Sequence, residues 1–261
     1  MALADEYDGL LVDLDGVVWI GREPVPGSAE ALTALIEGGV EVVFVTNNPG
    51  RPASTYAERL RAAGVPAEEE RIVTAGMVTA TLAADRAGEG TGCFVIGAPA
   101  FKETVAAAGL ELLDRDAGRD ARAVVVSGHR GFDYEELLTA TLALQRGAML
   151  FATSRDPTLP MPGGAWPGTG AILAAVETAT GAVAEIGGKP ERHLFELARQ
   201  RIPSATRVAM VGDRISSDID GGRRAGLATV LVLSGASTRA DAEATSTPPD
   251  HVVDDLAALL R

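Results

Sequence analysis

Short apolar runs rich in β-branched residues alternate along this chain with Ala/Leu-rich segments of helical period, and that alternation constrains the fold more than any other feature. The runs fall at 10–13, 41–46, 93–97, 123–127, 149–153, 208–212 and 229–233. The helical segments fall at 29–37, 53–63, 135–146, 171–178, 192–200 and 220–225, most of them ending at or near a glycine. A run that is apolar on both faces suits a strand buried between two layers of helices. Regular strand–helix alternation suits parallel crossover connections. The pattern therefore predicts an α/β fold on a doubly wound parallel sheet. A last strand and helix are predicted beyond the turn-forming Ser246-Thr247-Pro248-Pro249.

With 261 residues, 46% hydrophobic and 23% charged, the chain can build one large domain or two modest ones. A formal net charge of −13 and the lack of a Lys/Arg-rich run disfavour nucleic acid and anionic membrane surfaces, which leaves a small molecule as the expected partner. The single cysteine, Cys93, cannot close an intrachain disulfide. It lies in the strand-like Cys93-Phe94-Val95-Ile96, reads as a small buried hydrophobe, and suggests a reducing, cytoplasmic compartment. No signal sequence or bilayer-spanning run is apparent.

The chemistry is concentrated where apolar runs end. Leu10-Leu11-Val12 runs straight into Asp13-Leu14-Asp15-Gly16, at the strand end where open α/β sheets bind their ligands. Residues i and i+2 of an extended chain project to the same side, so Asp13 and Asp15 can converge. Two carboxylates in one pocket repel unless a cation or proton intervenes. The second run ends in Thr46-Asn47-Asn48-Pro49-Gly50-Arg51, whose hydroxyl, amide and turn-forming groups suit an anion. A later run, Val208-Ala209-Met210-Val211-Gly212, breaks into Asp213, Asp218 and Asp220, oxygen donors of the kind Mg²⁺ takes. Lys189, in Gly187-Gly188-Lys189-Pro190, can balance clustered negative charge. Each segment taken singly also has a plainer reading: a capped strand exit, an Asn-Pro-Gly turn, acidic residues at a helix N-terminus, and a solvated lysine. The lysine loop fails as a nucleotide P-loop because Pro190 replaces the required Ser/Thr, and Ser127 fails as a nucleophile elbow because Val125 stands where a glycine is needed.

In this order and spacing the four segments resemble the haloacid dehalogenase superfamily of phosphotransferases. The long insertion between Thr46 and Lys189, with three strand-like runs of its own, resembles the α/β type 2 cap of subclass IIA. That subclass includes the 4-nitrophenyl phosphatases and the phosphoglycolate, glycerol-phosphate and pyridoxal phosphatase-like enzymes. The resemblance implies a catalytic core at 1–76 and 187–261 and a cap domain at 77–186. It implies that Asp13 is the nucleophile, forming an aspartyl-phosphate, and that Asp15 is the acid/base. Mg²⁺ would be held by an Asp13 carboxylate oxygen, the Asp15 backbone carbonyl and the Asp213 carboxylate, with Asp218 supporting the site. Thr46, Asn47, Asn48 and Arg51 would hold the phosphoryl group, and Lys189 would offset its charge and anchor Asp13. Arg155, Asp156 and Leu159, in the cap loop, would meet the substrate.

Dehalogenases lack the Asp15 carboxylate and transport ATPases carry Thr there, so the resemblance leaves a phosphatase or a phosphomutase, and the type 2 cap implies a phosphatase acting on small phosphomonoesters. Relatives acting on pyridoxal phosphate carry His where Leu159 stands. Asp156-Pro157-Thr158-Leu159-Pro160 is similar instead to the bacterial glycerol-phosphate phosphatases. A compact substrate such as glycerol 3-phosphate or phosphoglycolate is expected, with pyridoxal phosphate or a sugar phosphate as the alternative. A receiver-like phospho-Asp signalling module needs neither a cap nor Asp15. His129 reads as a surface loop residue and Trp166 as cap packing. A homodimer is compatible with the sequence.

Overall fold

In the computed structural model, which describes residues 2–161 and 163–261, the apolar runs pair into two parallel sheets. The larger has six strands in the order His251–Val253, Ala228–Val232, Val208–Gly212, Gly9–Asp13, Glu41–Thr46 and Ile72–Thr74. The smaller has five, ordered Glu185–Ile186, Met149–Ala152, Ala123–Val126, Gly92–Ile96 and Glu111–Leu112. An antiparallel hairpin, Thr158–Met161 with Gly164–Pro167, extends from the smaller unit, and a short one, Trp19–Ile20 with Glu23–Pro24, follows the first strand.

Alternation along the strands splits each sheet between two apolar layers. On one face of the larger sheet Leu10 and Val12 pack with Leu32, Leu35, Tyr56 and Leu60. On the other, Leu11, Val43 and Met210 pack with Leu194, Phe195 and Ala198. The smaller sheet repeats the plan, with Val124 and Val126 against Ala140 and Leu173, and Val95 and Val125 against Ala83 and Phe101. Each large side chain fully buried this way contributes about 1.5–3 kcal/mol. Cys93 lies in the second of these layers, as its sequence setting predicts, and burial pushes its thiol up to about 12.

Helix Ala75–Ala87 carries the chain from one sheet to the other. Its start, Ala75 and Val78, packs in the larger unit, and Ala80, Leu82 and Ala83 pack in the smaller. The return path runs beside it: a Cβ on Gly187 would strike Thr79, and one on Gly188 would strike the Thr153 carbonyl, Asn47 and Ala75. Both crossings are therefore pinned by backbone contact that only glycine permits.

Parallel register decides what shares an edge. Val12 stands opposite both Phe44 and Val211, and Asp13 opposite Val45, so Asp13, Thr46 and Gly212-Asp213 end at one level. Past Gly212 the chain makes a π-helical turn, Ile215–Ile219, before helix Asp220–Arg224. Other departures from the sequence pattern are local. Asp133 caps its helix so that it starts at Tyr134, the segment predicted at 171–178 extends over Thr169–Thr180, and the last helix is a 3₁₀ turn, Leu256–Leu260.

Candidate active site

The shared strand edge gathers one ammonium and three carboxyls. Lys189 Nζ lies 2.7 Å from Asp13 Oδ1 and 2.6 Å from Asp218 Oδ1. The other Asp218 oxygen accepts the Arg214 backbone N–H at 3.0 Å, a contact made by the π-helical turn. Asp213 Oδ2 accepts the Ala236 N–H at 2.6 Å. Gly16, with φ at 95°, and Gly235 press against the Asp213 carboxylate where a Cβ would collide with it. Of the two acidic residues that could have served only as helix-end charges, Asp218 reaches the lysine. Asp220 instead starts its helix and accepts from Thr247.

Asp13, Asp213 and Asp218 each offer an oxygen within 4.8 Å of the others. Three carboxylates against one ammonium leave a formal excess of two negative charges, and all four groups are buried. Burial, reinforced by Asp218 and Asp213, drives the Asp13 carboxyl well above its usual range against the pull of Lys189. Burial and the Asp218 charge push Asp213 up to about 7. Burial alone would lower the Lys189 ammonium, but Asp13 and Asp218 outweigh it and hold it above its usual range. An all-oxygen donor set with two surplus charges fits a hard divalent cation. Asp218 has both oxygens engaged, whereas among the described residues Asp13 Oδ2 and Asp213 Oδ1 have no hydrogen-bond partner. Those two oxygens are the ones free to ligate or react.

Asp15 stands apart from that cluster. Its Oδ1 accepts the Trp19 indole N–H at 3.1 Å, and its Oδ2 faces the Thr46 hydroxyl and the Asn48 amide, each at 3.4 Å. Burial raises its carboxyl above the usual range, opposed by the Trp19 and Asn48 hydrogen bonds. A buried carboxyl raised in this way beside the turn after the second strand is placed to transfer a proton there. The Thr46 hydroxyl accepts the Asn48 N–H at 3.0 Å and shapes the turn after the second strand. Arg51 is exposed at the end of that turn.

The cap reaches the site through Asp156. Asn47 donates its amide to Asp156 Oδ2 at 2.6 Å and to the Lys189 carbonyl at 3.0 Å, and accepts the Lys189 N–H at 2.8 Å. Arg214 Nε lies 3.9 Å from Asp156 Oδ1, and Arg214 Nη2 donates to the Thr158 carbonyl at 3.3 Å. Leu159 pairs across the hairpin with Trp166, whose ring lies under the Arg130 guanidinium at 4.2 Å. Arg155 is not brought into the cluster: its guanidinium takes both Glu177 oxygens at 2.8 Å and fastens elements of the cap to each other. The expectation that His129 is a surface loop residue is corrected. Its side chain is only 11% exposed because it turns inward to pair at 2.8 Å with Glu136, which itself is 6% exposed.

Four residues of this surround escaped the sequence reading: Trp19, Tyr56, Arg59 and Arg214. For Arg214 a signal existed, since it sits between two acidic residues assigned to the site. Trp19 follows Asp15 by four residues but reads as one more apolar residue of the run. Nothing local marks Tyr56 and Arg59, which meet the site only through the fold of helix Ala53–Ala62.

Residues 10–111 match the family model of haloacid dehalogenase-like hydrolases, and residues 186–259 match a HAD-hydrolase-like model. The chain is 37% identical over 242 residues to a D-glycerol 3-phosphate phosphatase of Mycobacterium tuberculosis, covering 92% of this chain and 67% of that one. It is 35% identical to a glycerol-3-phosphate phosphatase of Gallus gallus, over 99% and 93% of the two chains. The crystal structure of a glycerol phosphate phosphatase from Mycobacterium tuberculosis in complex with magnesium superposes with a TM-score of 0.89 at 35% identity, covering all of this chain and 78% of that one.

Proposed function

The chain belongs to the haloacid dehalogenase-like hydrolases as a phosphoric monoester hydrolase, and on that premise we propose Mg²⁺-dependent hydrolysis of small phosphomonoesters through an aspartyl-phosphate on Asp13. The observation that carries this reading is the pair of unengaged oxygens, Asp13 Oδ2 and Asp213 Oδ1, in a buried cluster with two surplus negative charges. Asp13, Asp213 and the Asp15 carbonyl would hold Mg²⁺, which would supply the positive charge that lets an anionic nucleophile approach an anionic phosphate.

Lys189 holds Asp13 in place through Oδ1, and of the two Asp13 oxygens one would face the metal while the other attacks phosphorus. As the new P–O bond forms, the bond to the leaving oxygen breaks and Asp15 delivers its proton there. Asp15, now a carboxylate, takes a proton from water. That water attacks phosphorus, the bond to Asp13 breaks, and phosphate departs. Thr46, the Asn47 backbone N–H and Lys189 oppose the charge on the transferring oxygens, with Asn48 and Arg51 completing the loop. Asp218 keeps Lys189 in place. Uncatalysed monoester hydrolysis is among the slowest known reactions, with accelerations up to about 10²¹-fold, so no one of these contacts suffices.

In this reading residues 1–76 and 187–261 are the catalytic core and 77–186 the cap. The cap presents Asp156 and Leu159 to the substrate and leaves Arg155 out of the binding set. Apolar Leu159 beside Trp166, together with relatives named for glycerol phosphate, favours a compact polyol or acid phosphate. The acidic chain and its buried thiol favour a small cytoplasmic metabolite as partner.

The test is phosphate release from glycerol 3-phosphate, phosphoglycolate, pyridoxal phosphate, a sugar phosphate and 4-nitrophenyl phosphate, with and without Mg²⁺. Turnover of the compact esters only with the metal, abolished in Asp13→Asn, is expected. Wild-type turnover in Asp13→Asn overturns the nucleophile, and a clear preference for pyridoxal phosphate overturns the reading of Leu159.

A further inference from the structure

The hairpin after the first strand does more than turn the chain. Trp19 is only 3% exposed, and its indole N–H makes the shortest of the three contacts to the Asp15 carboxyl. Its carbonyl accepts the Gly16 N–H at 2.7 Å, so backbone and side chain of one residue fix both the turn and the carboxyl. The indole is itself clamped. The Arg59 guanidinium lies 3.8 Å from the ring centroid, and the Tyr56 ring stacks at 6.4 Å with planes 6° apart. Arg59 Nη2 also donates to the Gly21 carbonyl at the hairpin's turn at 2.9 Å, and the Tyr56 hydroxyl donates to the Asn48 carbonyl at 2.9 Å. Helix Ala53–Ala62 thereby ties the hairpin to the loop after Thr46.

An indole N–H can only donate. It engages Asp15 Oδ1 at 3.1 Å, whereas the Thr46 hydroxyl and the Asn48 amide reach Oδ2 only at 3.4 Å, so Oδ2 is the less firmly held acceptor and the oxygen better placed to carry the transferable proton. We propose that Trp19, clamped by Arg59, is a positioning residue for proton delivery to the leaving oxygen. The assignment rests on the acid role of Asp15 proposed above.

A displaced acid harms a poor leaving group far more than a good one, because nitrophenolate departs without a proton. The experiment compares kcat/KM for phenyl phosphate and 4-nitrophenyl phosphate, esters of similar shape. Trp19→Phe keeps the aromatic stack and removes the donor. It is expected to lower phenyl phosphate about tenfold more than 4-nitrophenyl phosphate, a part of the roughly 10²- to 10⁴-fold that a positioned acid supplies. Arg59→Met, which keeps the donor and loosens its clamp, shifts the ratio the same way by about threefold. That variant carries the test if Trp19→Phe does not fold. Asp15→Asn is the control and should diverge most. If Asp15→Asn lowers both esters equally, the acid role itself fails. If Asp15→Asn diverges while Trp19→Phe and Arg59→Met lower both esters equally, Trp19 is structural and the positioning assignment is overturned.

Discussion

The two sheets share one construction and part company at their carboxyl ends. Each is parallel, buried, and covered on both faces by helices. At the edge of the larger sheet Asp13, Lys189, Asp213 and Asp218 crowd together with a formal net negative charge, and among the described residues Lys189 is the one ion-pair partner of these carboxylates. The smaller sheet ends in hydroxyls that satisfy one another: the Thr169 hydroxyl accepts the Gly128 N–H at 2.9 Å and lies 3.3 Å from that of Thr153. Its buried acid, Glu136, is paired with His129. Architecture alone therefore does not make a site; the side chains at the strand ends do. The larger edge holds charge in reserve for a ligand, at a cost in stability that the smaller edge avoids.

The most severe way to break this contrast is to remove the cation. Lys189→Met leaves Asp13 and Asp218 buried without their shared partner, a loss expected to cost about 3–5 kcal/mol and to abolish turnover. Urea unfolding checks it, and Mg²⁺ should recover part of the lost stability by occupying the same field. An unchanged unfolding midpoint would mean that Asp13 and Asp218 are neutral in the folded protein and that the surplus charge does not exist.

Titration offers a second, smaller test. Asp213 is raised in the folded protein to about 7 from an unfolded value near 3.8. A carboxyl raised on folding favours the native state while it is protonated. Its contribution is full below the unfolded value and is lost as pH rises through about 7. Thermal melts in chelator should therefore show stability falling between about pH 4 and about pH 7, a slope that Asp213→Asn flattens and that Mg²⁺ opposes. A metal-free protein that gains stability over that interval contradicts the account.

How much of this was readable beforehand follows from the range of the forces involved. The strands showed because burial on both faces demands continuous apolar runs, and Asp13, Thr46, Lys189 and Asp213 showed because polar groups interrupt those runs or stand between glycines and proline. What failed to show depends on partners distant in sequence. Helix Ala75–Ala87 escaped because it is apolar toward both units and so lacks a clean polar face, although Thr74 caps it by accepting the Met77 N–H. Helix Pro99–Ala107 had proline at its first position, a start signal that went unread. Glu111–Leu112 and Glu185–Ile186 are two residues long, too short for any period to appear. His129 lies in a loop as expected, but its burial did not show because nothing in its neighbourhood announces that Glu136, seven positions on, turns inward to meet it.

Arg155 gives the finest test of the contrast, because its place in the chain, beside Asp156, invites a role in binding that its geometry denies. The bidentate pair with Glu177 is about half exposed on the arginine side, and Glu177 also accepts the Ala184 N–H at 2.9 Å. Exposed pairs of this kind contribute about 0.2–1 kcal/mol, so Arg155→Gln should lower the urea midpoint slightly. Asp156, one residue on, turns the opposite way to Asn47 and Arg214. The two neighbours thus point to different partners, Arg155 to Glu177 on the surface of the cap and Asp156 to the seam above Asp13. KM for the preferred ester should therefore stay within about twofold in Arg155→Gln, with the small cost appearing only in unfolding. A raised KM with an unchanged midpoint would assign Arg155 to the substrate, and would mean that the cap, too, keeps charge in reserve.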